Sequence, residues 1–229
     1  LRSKGLIPGD PDPRPFESFY NGYIDLVMSG VEEPLSTHAD HFEDAGAYGA
    51  AAYQKGALFL YQLEYVIGKP AFDQGLLDFF NTWKFKHPDD NDFIRVMEKS
   101  SGLELDWYRD YMVYSLKTVD YSVDTVFAYQ EQSAIILERI RDMPMPIDVV
   151  INTKAGTQLY YTIPLDIMRG AKEERGPDDK PYELLHDWNW VNPSYLFVVP
   201  FTPDQIQSVT IDPYMRMLDL DRENNVWAY

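Results

Sequence analysis

The chain has 229 residues, of which 45% are hydrophobic and 15% aromatic, enough to build one large domain or two ordinary ones. Lys and Arg number 20 against 37 Asp and Glu, and a formal net charge of −17 would repel phosphate, so no nucleic-acid partner is expected. There are no cysteines, which excludes disulfides, thiolate zinc sites and cysteine nucleophiles but leaves the cell compartment open.

The first 118 residues predict helices. Residues 1–44 carry five prolines and read mostly as ordered loop, with one apolar stretch at 20–28 that could be a helix or a helical turn. The pattern of residues 47–67 predicts one long helix with an apolar stripe and polar positions off that stripe. Three amphipathic helices follow, from Pro70 to Trp83, around Phe93 and up to Gly102, and from Leu105 to Leu116. In the long helix, the apolar stripe comprises Tyr53, Ala57, Leu60, Tyr61, Leu63 and Ile67, and the polar positions off it are Gln54, Lys55, Gln62 and Glu64.

The pattern changes from helical to alternating near residues 117–121, where we predict a domain boundary between 118 and 119. Short turns are predicted at 130–132 and 154–157, and the charged stretch 169–181 is predicted to be a solvated loop. About 100 residues of short strands indicate an immunoglobulin-like antiparallel β-sandwich over 119–229. The expected fold class is therefore α+β with two domains. Six strands are predicted, at 119–129, 134–140, 147–152, 158–164, 195–201 and 206–211.

Two patterns could hold metal ions, and each has a simpler explanation. His38 and His41 are three residues apart and could chelate a metal from one helix face, but the surrounding prolines and acidic residues favour a loop in which a histidine serves as a cap. Residues 219–225 have acidic groups at alternate positions but lack the glycine and glutamate of a calcium-binding loop, so a polar turn is favoured. Neither His-Glu-x-x-His nor Gly-x-Ser-x-Gly occurs in the chain.

The most specific motif is Tyr53-Gln54-Lys55-Gly56, which is followed by the apolar helix. It resembles the Tyr-x-Lys-Gly motif of the aminopeptidase N family, zinc metallopeptidases of the gluzincin group. Further segments resemble the same family in order, among them 83–88, 105–107, 209–213 and 218–225. The resemblance covers residues 34–229 and implies the helical end of a thermolysin-like catalytic domain, residues 1–118, followed by the sandwich domain.

The resemblance also implies functional residues. In the family, the tyrosine of this motif donates its hydroxyl to the oxyanion of the tetrahedral intermediate, and by position this tyrosine is Tyr53. In some members of the family the tyrosine five residues earlier lies near the substrate, and by position this tyrosine is Tyr48. A phenol with a pKa of about 10 remains a donor at neutral pH. The implied reaction is zinc-dependent hydrolysis of an amino-terminal residue from a peptide.

The chain departs from the family because the zinc-binding segment and the segment that binds the substrate amine are not in it. The start at Leu1 rather than Met favours a piece cut from a longer peptidase over a natural relic without the catalytic half. Such a piece would bind no catalytic zinc by itself and would be inactive. Its partners would be the missing amino-terminal half and, in the parent, a peptide substrate, and exposed core surface could lead to self-association. The alternative is a non-catalytic scaffold or a module that binds a peptide or protein.

Overall fold

The computed structural model describes residues 14–173, 175 and 180–229. Contacts divide the chain into two compact units, Leu1–Leu58 and Phe59–Tyr229. The domain boundary expected at 118/119 stays a prediction. Within the described residues, no helix combines the length and the apolar character needed to cross a membrane.

The first unit contains helix α1, Glu17–Ser29, which is longer than the apolar stretch 20–28. It ends at Gly30, whose φ of 71° is a conformation that side chains with a Cβ rarely adopt. After a 3-10 turn at Ala39–His41 comes helix α2, Ala45–Gly49, where the Asp44 carboxylate accepts a 2.8 Å hydrogen bond from the Ala47 amide. Six residues with π-helical hydrogen bonding, Ala50–Lys55, follow directly and lead into helix α3.

The helices that follow the π-helical segment confirm the periodicity of the sequence. Helix α5 begins with a capping box between Asp89 and Asp92 and ends at Gly102, which has a φ of 72°. The last helix stops at Tyr114, two residues before the predicted end. The bounds are α3 Gly56–Ile67, α4 Lys69–Trp83, α5 Asp90–Ser101 and α6 Asp106–Tyr114.

The apolar stripe predicted for residues 47–67 is only partly right. Tyr53 and Leu60 were placed on the stripe but are 76% and 38% exposed, whereas Lys55 and Gln62 were placed off it but are buried. The wide π turn changes the direction of the side chains around Tyr53. Gln62 is buried because the backbone satisfies its amide, with the Leu218 amide donating to its Oε1 at 3.1 Å.

The strands form one sheet of three strands and one of five. All six predicted strands are confirmed. Two further short strands, β5 and β8, were missed because two or three residues carry too little alternation to detect. Neighbouring strands are antiparallel except for the parallel pair β4 and β5. The first sheet has the order β1 Tyr121–Tyr129, β2 Gln132–Arg139, β6 Ser194–Val199, and the second β5 Glu183–Leu184, β4 Gln158–Ile163, β3 Ile147–Thr153, β7 Ile206–Ile211, β8 Val226–Ala228.

Tyrosine hydroxyls connect distant parts of the second unit. Tyr65 on α3 donates to the Pro146 carbonyl and accepts from the Asp148 amide, both at 3.1 Å, so this helix is bonded to the start of β3. Tyr121 at the start of β1 accepts a 2.8 Å hydrogen bond from the Met145 amide. Both rings are fully buried, so these bonds satisfy groups that would otherwise be costly to desolvate.

The helices and the two sheets together confirm the expected α+β fold class.

The loop expected at 169–181 includes residues 174 and 176–179, which lie outside the described residues, and its described part is not solvated throughout. Lys172 lies within it and is 6% exposed, with its Nζ 2.6 Å from Asp148 Oδ2 and 3.8 Å from the centre of the Tyr65 ring. Thr162 Oγ1 donates to the other carboxylate oxygen of Asp148 at 2.8 Å. The expectation of a solvated loop is wrong at Lys172, because a charge can be buried where a carboxylate and a ring face replace water.

Candidate functional site

Tyr53 lies in the π-helical segment Ala50–Lys55. The segment closes with the Gly56 amide donating to the Ala51 carbonyl, five residues back, instead of the four of an α-helix. Ala50, Ala51 and Ala52 carry no bulky side chains that would resist the wider turn. π-helical segments are rare, and those that exist are frequently part of functional sites. The π turn therefore indicates that these residues are a candidate site.

The Tyr53 side chain points into solvent and is 76% exposed. Its hydroxyl has no hydrogen-bond partner among the residues that the structure describes. A large aromatic ring at such exposure gains little from packing within the chain. Tyr53 is therefore free to offer its O–H as a donor to a bound molecule.

Tyr48 lies one segment earlier, on α2, and is 42% exposed. Its ring makes an edge-on contact with Phe42, with centroids 5.4 Å apart and planes at 63°. Phe42 was not singled out from the sequence. Gly49, next to Tyr48, faces open space, since a Cβ built on it would meet no atom within 4 Å. The surface beside Tyr48 thus consists of the Phe42–Tyr48 ring pair and the backbone of Gly49, which carries no side chain.

A buried ion pair includes the last residue of the π-helical segment. Lys55 Nζ is 2.6 Å from Glu32 Oε1, and the two side chains are 3% and 7% exposed. Tyr23 on α1 is also buried, and this burial, with the negative charge of Glu32 adding to it, raises the pKa of the Tyr23 hydroxyl well above its usual value of 10. Sequence reasoning missed the pair. Lys55 was assigned to a polar face, and nothing near Glu32 marks it as buried.

The two histidines behave as the loop alternative predicts. His38 precedes the 3-10 turn and its Nδ1 accepts a 3.2 Å hydrogen bond from the Asp40 amide, so it acts as a cap. The His41 ring lies 5.3 Å from the His38 ring, centroid to centroid. Across residues 14–173, 175 and 180–229, no group of three or more His, Cys, Asp or Glu side chains is arranged to hold a metal ion.

The acidic residues of 219–225 bind backbone. Asp219 is fully buried, and its carboxylate accepts hydrogen bonds from the amides of Tyr121 and Asp221, each at 3.0 Å. Asp221 in turn accepts from the Glu223 amide at 3.1 Å. With the amide of Asn225 oriented to satisfy its neighbours, its nitrogen donates to Asp219 at 3.3 Å. The segment is a polar turn held together by its own carboxylates, as the simpler explanation predicts.

Comparison with known proteins shows which family the chain resembles. Residues 23–112, which include Tyr48, Tyr53 and the buried pair, match the Peptidase family M1 domain. The resemblance to these peptidases is confirmed. A leukotriene A-4 hydrolase homolog of Botryotinia fuckeliana is 45% identical over 47 residues, which is 20% of this chain and 7% of that protein. Leucine aminopeptidase 2 of Sclerotinia sclerotiorum is 43% identical over 47 residues, 20% of this chain and 8% of that protein.

A solved structure shares the fold more widely. The chain superposes on Legionella pneumophila aminopeptidase A, crystallised in complex with aspartic acid, with a TM-score of 0.51 at 15% identity. The superposition covers 76% of this chain and 18% of the Legionella chain. At this identity the likeness is one of fold. The regions matched in all three proteins are less than a fifth of their length.

Proposed function

We propose that this chain is part of a zinc-dependent aminopeptidase that removes amino-terminal residues from peptides. The observation that carries the proposal is Tyr53, an exposed tyrosine on a π-helical turn inside the stretch that matches the Peptidase family M1 domain. The names of two relatives, a leucine aminopeptidase and an aminopeptidase A, support the reaction class.

Tyr53 would act as an electrostatic stabiliser of the transition state. When the scissile carbonyl is attacked, its oxygen gains negative charge, and a phenolic O–H aimed at it strengthens its hydrogen bond as that charge develops. Because Tyr53 has no other partner in the described chain, its donor is available without breaking an existing hydrogen bond. Removing one such donor typically costs about 3 kcal/mol of transition-state stabilisation.

Tyr48 would contact the substrate without taking part in bond breaking. The bare backbone at Gly49 leaves space for a peptide to approach the helix closely. The ring of Tyr48, held by Phe42, would form one wall of that space.

The zinc ion belongs to the parent enzyme in this proposal. The described residues do not fit a zinc site. Its ligands would come from a His-Glu-x-x-His segment, which is not among these 229 residues. We therefore expect the isolated chain to be inactive and to bind no catalytic zinc.

We also propose which kind of domain each part of the chain forms. Residues 1–118 would be the helical end of a thermolysin-like catalytic domain, and 119–229 an immunoglobulin-like sandwich. The two mainly antiparallel sheets and the fold likeness to the Legionella aminopeptidase support it. The missing catalytic half would be the natural partner, and exposed side chains on α4 such as Leu77 and Phe80 would allow self-association.

The test uses the zinc-loaded protein in which this chain is joined to a His-Glu-x-x-His segment, with an aminoacyl reporter as substrate. We expect cleavage, and we expect Tyr53→Phe to lower kcat about a hundredfold with zinc content unchanged. Tyr129→Phe is the matched control, because Tyr129 is also exposed, at 50%, but lies in the β1–β2 hairpin. A zinc-loaded protein that cleaves no aminoacyl reporter would refute the enzyme and favour the scaffold. Equal kcat for Tyr53→Phe and the wild type would remove the role of Tyr53.

A further inference from the structure

The ion pair between Lys55 and Glu32 is buried, as is that between Lys172 and Asp148. The side chains of Lys55 and Glu32 are 3% and 7% exposed, whereas both side chains of the Lys69–Asp73 pair are more than half exposed. Removing two charges from water is costly, and a buried pair often stabilises a fold no better than apolar side chains of the same size. A buried pair therefore calls for a role other than stability, and fixing one arrangement among several is the best-attested role.

The position of the pair in the chain suggests which arrangement it fixes. Lys55 is the last residue of the π segment and follows Tyr53 by two positions. Glu32 lies just beyond α1, where the turn at Gly30 redirects the chain. The single contact at 2.6 Å therefore joins the end of the π turn to the segment that follows α1.

The residue between Tyr53 and Lys55 is held by α1 itself. A Cβ built on Gly22 would lie 2.5 Å from Gln54 Nε2, so the helix backbone and the Gln54 side chain are in close contact. Ala51, four residues before Lys55, is 2% exposed and completes the inward side of the turn. The residues around Tyr53 are thus anchored, while the Tyr53 side chain is itself 76% exposed.

We propose that the Lys55–Glu32 ion pair is a positioning device for Tyr53, and this inference rests on the proposed function. A π turn is less favourable than continuous α-helix, so it persists where the surroundings hold it. The pair fastens the carboxyl end of the turn, and the turn sets the direction in which the Tyr53 hydroxyl points. Lys55 and Glu32 touch no substrate in this scheme and act only through the backbone.

The experiment separates positioning from stability by removing the pair in two ways. Lys55→Met leaves the Glu32 carboxylate buried without its partner, whereas Lys55→Met with Glu32→Met replaces both charges by apolar side chains of similar length. Stability should fall in the single variant and recover largely in the double variant. Positioning should be lost in both, because neither retains the charged contact. Lys69→Met, which breaks an exposed pair, is the control.

The first readout uses the 229-residue chain and needs no activity. With Tyr53 replaced by 3-fluorotyrosine, fluorine NMR should give one resonance in the wild type and in Lys69→Met. It should give a shifted or split resonance in the single and the double variant. A double variant that remains folded by circular dichroism with an unchanged fluorine resonance would overturn the proposal.

The second readout uses the zinc-loaded longer protein. We expect the double variant to lower kcat about a hundredfold, as a displacement of about 1 Å can do, with KM and zinc content nearly unchanged. Lys55→Arg keeps the charge and should restore part of kcat. If even the wild type cleaves nothing, the proposed function fails, and the fluorine spectrum still decides whether the pair positions Tyr53. An active double variant with wild-type kcat would overturn the positioning role while leaving the proposed function intact.

Discussion

Asp219 should make the stability of the second unit depend on pH. Its carboxyl group is fully buried, and this burial raises its pKa to about 7, with the hydrogen bonds from the Tyr121 and Asp221 amides opposing the rise. In the unfolded chain the same group has a pKa of about 3.9. Between these two values the folded state holds a proton that the unfolded state has lost. The contribution of Asp219 to the free energy of unfolding should therefore be largest below about pH 4 and should fall as the pH rises towards 7.

The size of the effect follows from the two pKa values. A difference of about three pH units corresponds to about 4 kcal/mol over the whole range. Between pH 5 and pH 8 the fall due to Asp219 should be about 2.5 kcal/mol, because part of the change lies below pH 5. Repulsion within a chain of formal net charge −17 adds a fall of the same sign, so the wild type alone cannot separate the two.

Urea unfolding at pH 5 and pH 8, followed by tryptophan fluorescence, measures the effect in the second unit, which contains all five tryptophans. Asp219→Asn cannot lose a proton but leaves the rest of the charge almost unchanged. The variant should lose about 2.5 kcal/mol less than the wild type between the two pH values. Parallel losses in the two proteins, or a larger loss in the variant, would refute the reasoning.

Two further predictions concern buried charge and exposed apolar surface. Lys172→Met leaves the Asp148 carboxylate buried without its closest cation, and should lower the free energy of unfolding by about 3–5 kcal/mol. Lys69→Met should cost less than about 0.5 kcal/mol, because its pair is exposed. The 229-residue chain should self-associate at high concentration through α4, where Leu77 and Phe80 are 59% and 63% exposed, as measured by light scattering.

Both the prediction on buried charge and the prediction on self-association can be contradicted by measurement. Equal urea midpoints for Lys172→Met and Lys69→Met would show that leaving Asp148 without Lys172 costs no more than breaking an exposed pair. For self-association, Phe80→Ser is the informative variant, since it removes an exposed ring from α4. A monomeric wild-type chain at high concentration, or an assembly that persists in Phe80→Ser, would count against α4 as the contact surface.

Periodicity was enough to predict most of the secondary structure. The six long strands alternate clearly, and helices such as α5 carry their own signals in Asp89 and Gly102 at the two ends. Strand β8 at Val226–Ala228 was missed because three residues cannot show a period and its pairing with β7 is a long-range contact. Local pattern thus identifies elements that are long enough to repeat it.

The candidate site was harder to predict because its features are not apolar. The motif around Tyr53 identified the helix, but an apolar stripe counts Tyr53 as core and Lys55 as surface, and the structure reverses both. Hydrophobic patterning assumes that charges face water, and this fails where a partner such as Glu32 is supplied from a distant segment. The partner could be identified only in three dimensions.

The π turn also gives chain length a meaning at this site. An α-helix advances about 100° per residue, and a π turn accommodates one residue more than an α turn in the same rise of helix. If the same residues between Gly49 and Tyr53 closed as ordinary α-helix, Tyr48 would rotate by about 100° relative to Tyr53. Deleting a single alanine there would let the segment close as α-helix with the two tyrosines near their present angle, because the π turn already absorbs one residue. The angle between the two tyrosines is therefore set by the width of the turn together with the number of residues in it.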